Sequence, residues 1–150
     1  MNISIDVDDE SWHGIFGVEG VVTRAIEAVL PNDKRGIDVL LTSDTEMRVL
    51  NKEWRGFDKS TNVLSFPSPD MPVPEGEVAH LGDIVLAWGT VALEAREGPK
   101  SLADHVTHLV VHGTLHLLGF DHEDGVDAET MEAREKGILA GLGIADPYTA

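Results

Sequence analysis

The segment HVTHLVVHGTLHLLGFDH, His105 to His122, holds five of the chain's seven histidines, and no other stretch restricts the possible folds so tightly. His112 and His116 are four apart. On a helix they project from one face, a turn apart, and can grip a single ion. Gly119 permits the left-handed backbone that ends a helix sharply, so His122, three residues further on, can fold back as a third ligand. The pattern H-x-x-x-H-x-x-G-x-x-H meets all four fixed positions of the metzincin ligand spacing. A helix whose histidines bind nothing is the competing reading, and the density of the match argues against it. For His105 and His108 the bland reading, a histidine that binds nothing, is the better account, a plain surface or core histidine above all for His105; either could instead support a ligand or line a groove.

Cysteine is absent, so a metal must rest on His, Asp and Glu, with no disulfide framework or thiolate nucleophile. One zinc per chain, on His112, His116 and His122, is the expectation, although imidazole sites also accept nickel, copper or iron. Zinc peptidases carry a glutamate directly after the first ligand; here that position is Gly113, which disfavours a peptidase. Three neutral imidazoles leave the divalent charge uncompensated and suit an anionic ligand such as a phosphate oxygen. An open fourth position would hold water, whose pKa zinc can bring from ~15.7 to about 7. Asp121, beside the third ligand, is the candidate for orienting that water or an imidazole; hydrogen bonding to a turn amide is its structural alternative.

A chain of 150 residues, 42% hydrophobic and 25% charged, fits one ordinary globular domain spanning 1–150. Its net charge of -16, from 27 acidic and 11 basic residues, repels nucleic acid over most of the surface. Any RNA contact must therefore be local. Arg48, Lys52, Arg55 and Lys59 are spaced by four, three and four residues, and a continuing helix would show them on one face. That stripe is the candidate RNA-binding surface, with Arg55 foremost because a guanidinium binds phosphate oxygens bidentately. Trp54 could stack on a base, but packing at the helix end is the favoured role. The acidic N-terminus MNISIDVDDE lacks the features of an export signal, and no window nears the ~20 apolar residues that span a bilayer, so a cytoplasmic protein is expected.

Ile3, Ile5 and Val7 alternate as in a half-buried strand. Val18 to Val29 recurs at helical spacing until Pro31, and a strand at Ile37 to Thr42 follows. Ser43 with Glu46 signals the cap of a second helix reaching about Trp54 and released by Gly56. Asn62 to Phe66 and Gly82 to Ala87 read as strands, separated by a proline-rich loop from Pro67 to Gly76. Helices are expected near Thr90 to Arg96, from Leu102 to Leu118 with a cap at Ser101, and near Asp127 to Leu139. The sum is a single domain, α+β or mixed three-layer, with a small mixed sheet of about four strands and five or six helices. Its histidine helix would be a zincin-like metal helix.

The runs LNKEWRGFDKSTNVLSFP (Leu50 to Pro67), LGDIVLA (Leu81 to Ala87) and HLVVHGTLHLLGFDH (His108 to His122) resemble the YbeY family of bacterial rRNA-maturation endoribonucleases. The resemblance implies an α+β domain holding zinc on His112, His116 and His122. It implies single-strand-specific RNA cleavage at the 3′ end of small-subunit ribosomal RNA, ribosome quality control, and catalytic roles for Arg55 and His112. Partners would be ribosomal RNA and small-subunit ribosomal proteins, with no membrane. Two other classes remain open at this point: a non-catalytic zinc-binding assembly factor, and a metallohydrolase of a small anionic substrate.

Overall fold

A computed structural model describes residues 2–69, 72–120 and 125–147. Strand β1 (Asn2–Val7) runs into a short 3-10 helix (Glu10–Gly14), then α1 (Val18–Val29), β2 (Gly36–Thr42) and α2 (Asp44–Arg55). Strands β3 (Val63–Pro67) and β4 (His80–Ala87) follow, then α3 (Trp88–Glu97), α4 (Leu102–Leu117) and α5 (Gly125–Gly141). The α+β expectation holds, with four strands and five α-helices among the described residues.

The four strands lie in the order β1-β2-β4-β3. β1, β2 and β4 are parallel, and β3 pairs antiparallel to β4 at one margin. Side chains alternate between the two faces. Ile37, Val39, Leu41, Ile84 and Leu86 enter the large core with α1 and α4, whereas Val85 and Ala87 turn the other way and meet Met47 of α2. α2 therefore covers the face opposite α4, and it covers only part of it. Buried residues from Val106 to Leu117 occupy most sides of α4, as befits a helix packed against sheet and helices.

Caps and stops act where the sequence placed them. Ser43 Oγ accepts from the Glu46 amide at 3.2 Å and Ser101 Oγ from the Asp104 amide at 3.1 Å. Gly56 ends α2 at φ 78°, and Gly119 follows α4 at φ 96°. The 3-10 helix had no periodic signal; it forms because Trp12, fully buried, donates its indole N–H to the Thr42 carbonyl at 2.9 Å and meets Trp88 edge-on at 5.2 Å. Among the described residues no helix is long and apolar enough to cross a membrane.

Candidate metal centre

Four histidines of α4, His105, His108, His112 and His116, are spaced by three, four and four residues and so form one stripe along the helix. Successive ring centroids lie 6.2, 6.3 and 4.6 Å apart, closest between His112 and His116. Each ring is tied differently. His105 Nε2 lies 2.9 Å from Glu94 Oε1 of α3, a carboxylate that also accepts from the Asn62 amide at 3.1 Å, so His105 belongs to the scaffold between α3, α4 and β3.

His112 and His116 turn their Nε2 atoms toward each other, 3.1 Å apart. Metal–nitrogen bonds of about 2.0–2.1 Å set two ligands of a tetrahedral ion roughly 3.3 Å apart, so both nitrogens are placed to share one cation. Behind His112 stands Glu135 of α5, with 0% of its surface exposed. Its Oε1 accepts from His112 Nδ1, and its Oε2 lies 3.4 Å from His108 Nε2. Lys100 Nζ sits 3.1 Å from His108 Nδ1. Burial holds the His108 imidazole below its usual range; hydrogen bonding to Glu135 opposes this, and the Lys100 charge adds to the lowering. Burial likewise lowers Lys100.

The donor chemistry suits a borderline divalent ion: two imidazole nitrogens converge, with a carboxylate bonded to the far nitrogen of one ring. His122, expected as the third ligand, and Asp121, expected to orient water or an imidazole, lie outside the described residues. The carboxylate found behind an imidazole is Glu135, which the sequence reading missed. Its signal was faint but present: Met131, Glu135 and Leu139 are spaced by four on α5, and all three are buried. An acid inside an apolar stripe is an acid with a partner.

Gly113 also gains a physical account. A Cβ there would meet Ser65 Oγ at 3.0 Å and Ile84 Cγ2 at 3.3 Å, because this face of α4 lies directly on β3 and β4. Ser65 Oγ donates to the Gly113 carbonyl at 2.9 Å. Any larger side chain at this position would press on Ser65, Ile84 and Val63, which would have to give by a few tenths of an ångström.

The basic residues sit on another element and on the opposite face of the sheet. Arg48, Lys52 and Arg55 lie on α2, which ends at Arg55; Lys59 falls in the turn beyond Gly56 and is not part of a continued helix face. Arg48 Nε donates to Asp58 Oδ1 at 2.7 Å, and Lys52 Nζ is 4.0 Å from the other oxygen of the same carboxylate. Lys59 Nζ stands 5.7 Å over the Phe57 ring. The packing expected for Trp54 is not seen: the residue is 67% exposed, resting edge-on against Phe66 at 6.3 Å. α2 covers too little of the sheet to enclose its own last turn.

That partly uncovered face carries a groove of about 580 Å³, lined by Asp6, Asp38, Asp83, Leu40, Trp54 and Phe66 among others. Asp38, His80 and Asp83 offer ligand atoms within 4.8 Å of one another and could hold a cation, although all three are solvent-exposed. Sequence spacing gave no hint of this group, since the strand pairing Asp38↔Asp83 creates it.

Comparison with known proteins accords with this architecture. A solution structure of a Thermotoga maritima protein is 25% identical, covers 99% of each chain and superposes with a TM-score of 0.57. The endoribonuclease YbeY of Chelativorans sp. is 52% identical over 99% of this chain and 93% of its own, and that of Azorhizobium caulinodans is 48% identical over 99% and 96%. The family model described as endoribonuclease YbeY matches residues 5–143, and the chain belongs to the YbeY endoribonuclease family.

Proposed function

We propose that residues 1–150 form one metal-dependent domain that cleaves single-stranded RNA, acting at the 3′ end of small-subunit ribosomal RNA in the cytoplasm during ribosome maturation and quality control. The observation that carries this reading is the convergence of His112 and His116, with Nε2 atoms 3.1 Å apart on a helix backed by a buried carboxylate. His112, His116 and His122 would hold one zinc ion. When bound, such an ion supplies Lewis-acid chemistry to a phosphodiester.

The chain's own residues supply the rest. Glu135 Oε1 accepts from His112 Nδ1, the ring nitrogen remote from His116. Arg55, at the end of α2, offers a bidentate donor to a backbone phosphate of the bound strand. Asp121 would orient the attacking group. Arg48, Lys52 and Lys59 would position the backbone of the RNA. Because α2 and α4 lie on opposite faces, a strand reaching both passes around the β3 margin. A single strand bends around such a margin far more readily than a stiff duplex.

The test is cleavage of a single-stranded ribosomal-RNA precursor and of its duplex form by purified protein, with metal content measured in parallel. Wild type is expected to cut the single strand and to stop when a chelator removes the metal. His116→Ala is expected to lose both metal and cleavage, and Arg55→Ala to cut at least tenfold more slowly with its metal retained. Cleavage by His116→Ala at the wild-type rate overturns the reading.

A further inference from the structure

Lys100, just before α4, His108 and His112 on α4 and the fully buried Glu135 of α5 form a partly buried row, and its direction has a chemical consequence. A lysine ammonium has only donors, so His108 Nδ1, 3.1 Å from Lys100 Nζ, is an acceptor. His108 Nε2, on the other side of that ring, stands 3.4 Å from Glu135 Oε2. The other carboxylate oxygen, Oε1, accepts from His112 Nδ1. A neutral His112 with its proton on Nδ1 has a bare lone pair on Nε2, the atom that faces His116.

We propose that Glu135 is a positioning residue for this site: it fixes His112 as the Nδ1–H tautomer with Nε2 stripped of its proton and aimed at the point shared with His116. His108 stands beside the carboxylate's other oxygen, 3.4 Å away. The proposal rests on the metal-binding reading of His112 and His116 and adds to it the group that prepares the ligand. Glu135 acts through His112. Fully buried on α5 between Met131 and Leu139, it has no surface role that would otherwise account for a charged group there. An imidazole ligand oriented and made more basic by such a carboxylate loses typically 10–100-fold in metal affinity when the carboxylate is removed.

Two measurements decide it. In chelator-treated wild type, imidazole ¹⁵N shifts should report His112 with its proton on Nδ1 and His108 with its proton on Nε2. In Glu135→Ala the His112 signal should move toward a mixture of tautomers. Zinc titration against a chromophoric chelator should show an affinity about 10–100-fold weaker in Glu135→Ala. The near-isosteric Glu135→Gln, which keeps an acceptor oxygen and the packing volume, should lose less, and it keeps the test alive should the alanine variant fail to fold. Met131→Ala, a cavity on the same stripe of α5, serves as the control for a merely structural role and should keep zinc affinity within a few-fold of wild type.

An Nε2–H tautomer for His112 in wild type overturns the proposal. So does a Glu135→Ala protein with wild-type affinity, or a Met131→Ala protein that loses as much as Glu135→Ala. Should the wild type take up no zinc, the metal reading falls, and the tautomer of His112 still decides whether Glu135 positions it.

Discussion

At Gly82 the backbone of β4 passes so close to its neighbours that only hydrogen fits. A Cβ there would lie 2.5 Å from the Phe66 carbonyl oxygen and 2.6 Å from Leu117 Cδ2. The first is main chain and cannot step aside. Gly82→Ala should therefore cost about 1–3 kcal/mol or more of stability through forced displacement of β3 or of α4's last turn, measured by urea denaturation. An unchanged midpoint would show that β4 relaxes more freely than its packing suggests. His112 and His116 were legible from spacing alone, because a four-residue separation on a helix has a single geometric meaning. Glu135 was not, since the residue that makes it special is 23 positions away in the chain. Trp54 was misjudged for a related reason: whether a helix end is covered depends on what the rest of the fold leaves over it.

Helix α2 is secured at its first turn by more than its cap. Asp44 Oδ1 accepts from Ser60 Oγ at 3.1 Å, from the Thr90 amide at 3.0 Å and from Thr90 Oγ1 at 2.9 Å. One carboxylate oxygen thus ties α2, the approach to β3 and the start of α3. Asp44→Ala should destabilise the protein by about 1.5–3 kcal/mol, the range for hydrogen bonds to a charged group, and a thermal melt compared with Ser43→Ala checks it. The cap variant should lose only about 1 kcal/mol. Element boundaries were readable at Ser43, Gly56, Ser101 and Gly119, where local chemistry dictates the backbone. The 3-10 helix was not, because Trp12 is held by Thr42, thirty residues distant. Nor could composition say that β3 would run against its three parallel companions.

For the molecule as a whole, a net charge of -16 makes every phosphate contact a local exception. Arg48 spends its charge on Asp58, so Arg55 stands out in the stripe for contact with a nucleic acid. In filter-binding titrations over a range of salt concentrations, Arg55→Ala should lower the log–log slope for single-stranded RNA by about 0.7, the increment for one phosphate contact. An unaltered slope would remove Arg55 from the interface. The overall architecture was legible as a class, four strands with helices, yet the side of the sheet on which α2 lies was not. That depends on the alternation within β4, where Val85 and Ala87 face one way and Ile84 and Leu86 the other. The margin formed by β3 has a final consequence, for how these molecules behave in company. The Asn62–Ala87 and Ser68–Leu81 hydrogen bonds direct the even-numbered residues of this stretch inward to β4, leaving Val63, Ser65 and Pro67 pointing outward. Val63 N–H is already taken by Asn62 Oδ1 at 2.7 Å, and proline has no N–H to give. Among the described residues of β3 only the Ser65 amide remains as a donor to a foreign strand, a poor template for sheet growth from one molecule to the next, and crowded copies of this protein should stay separate along that border.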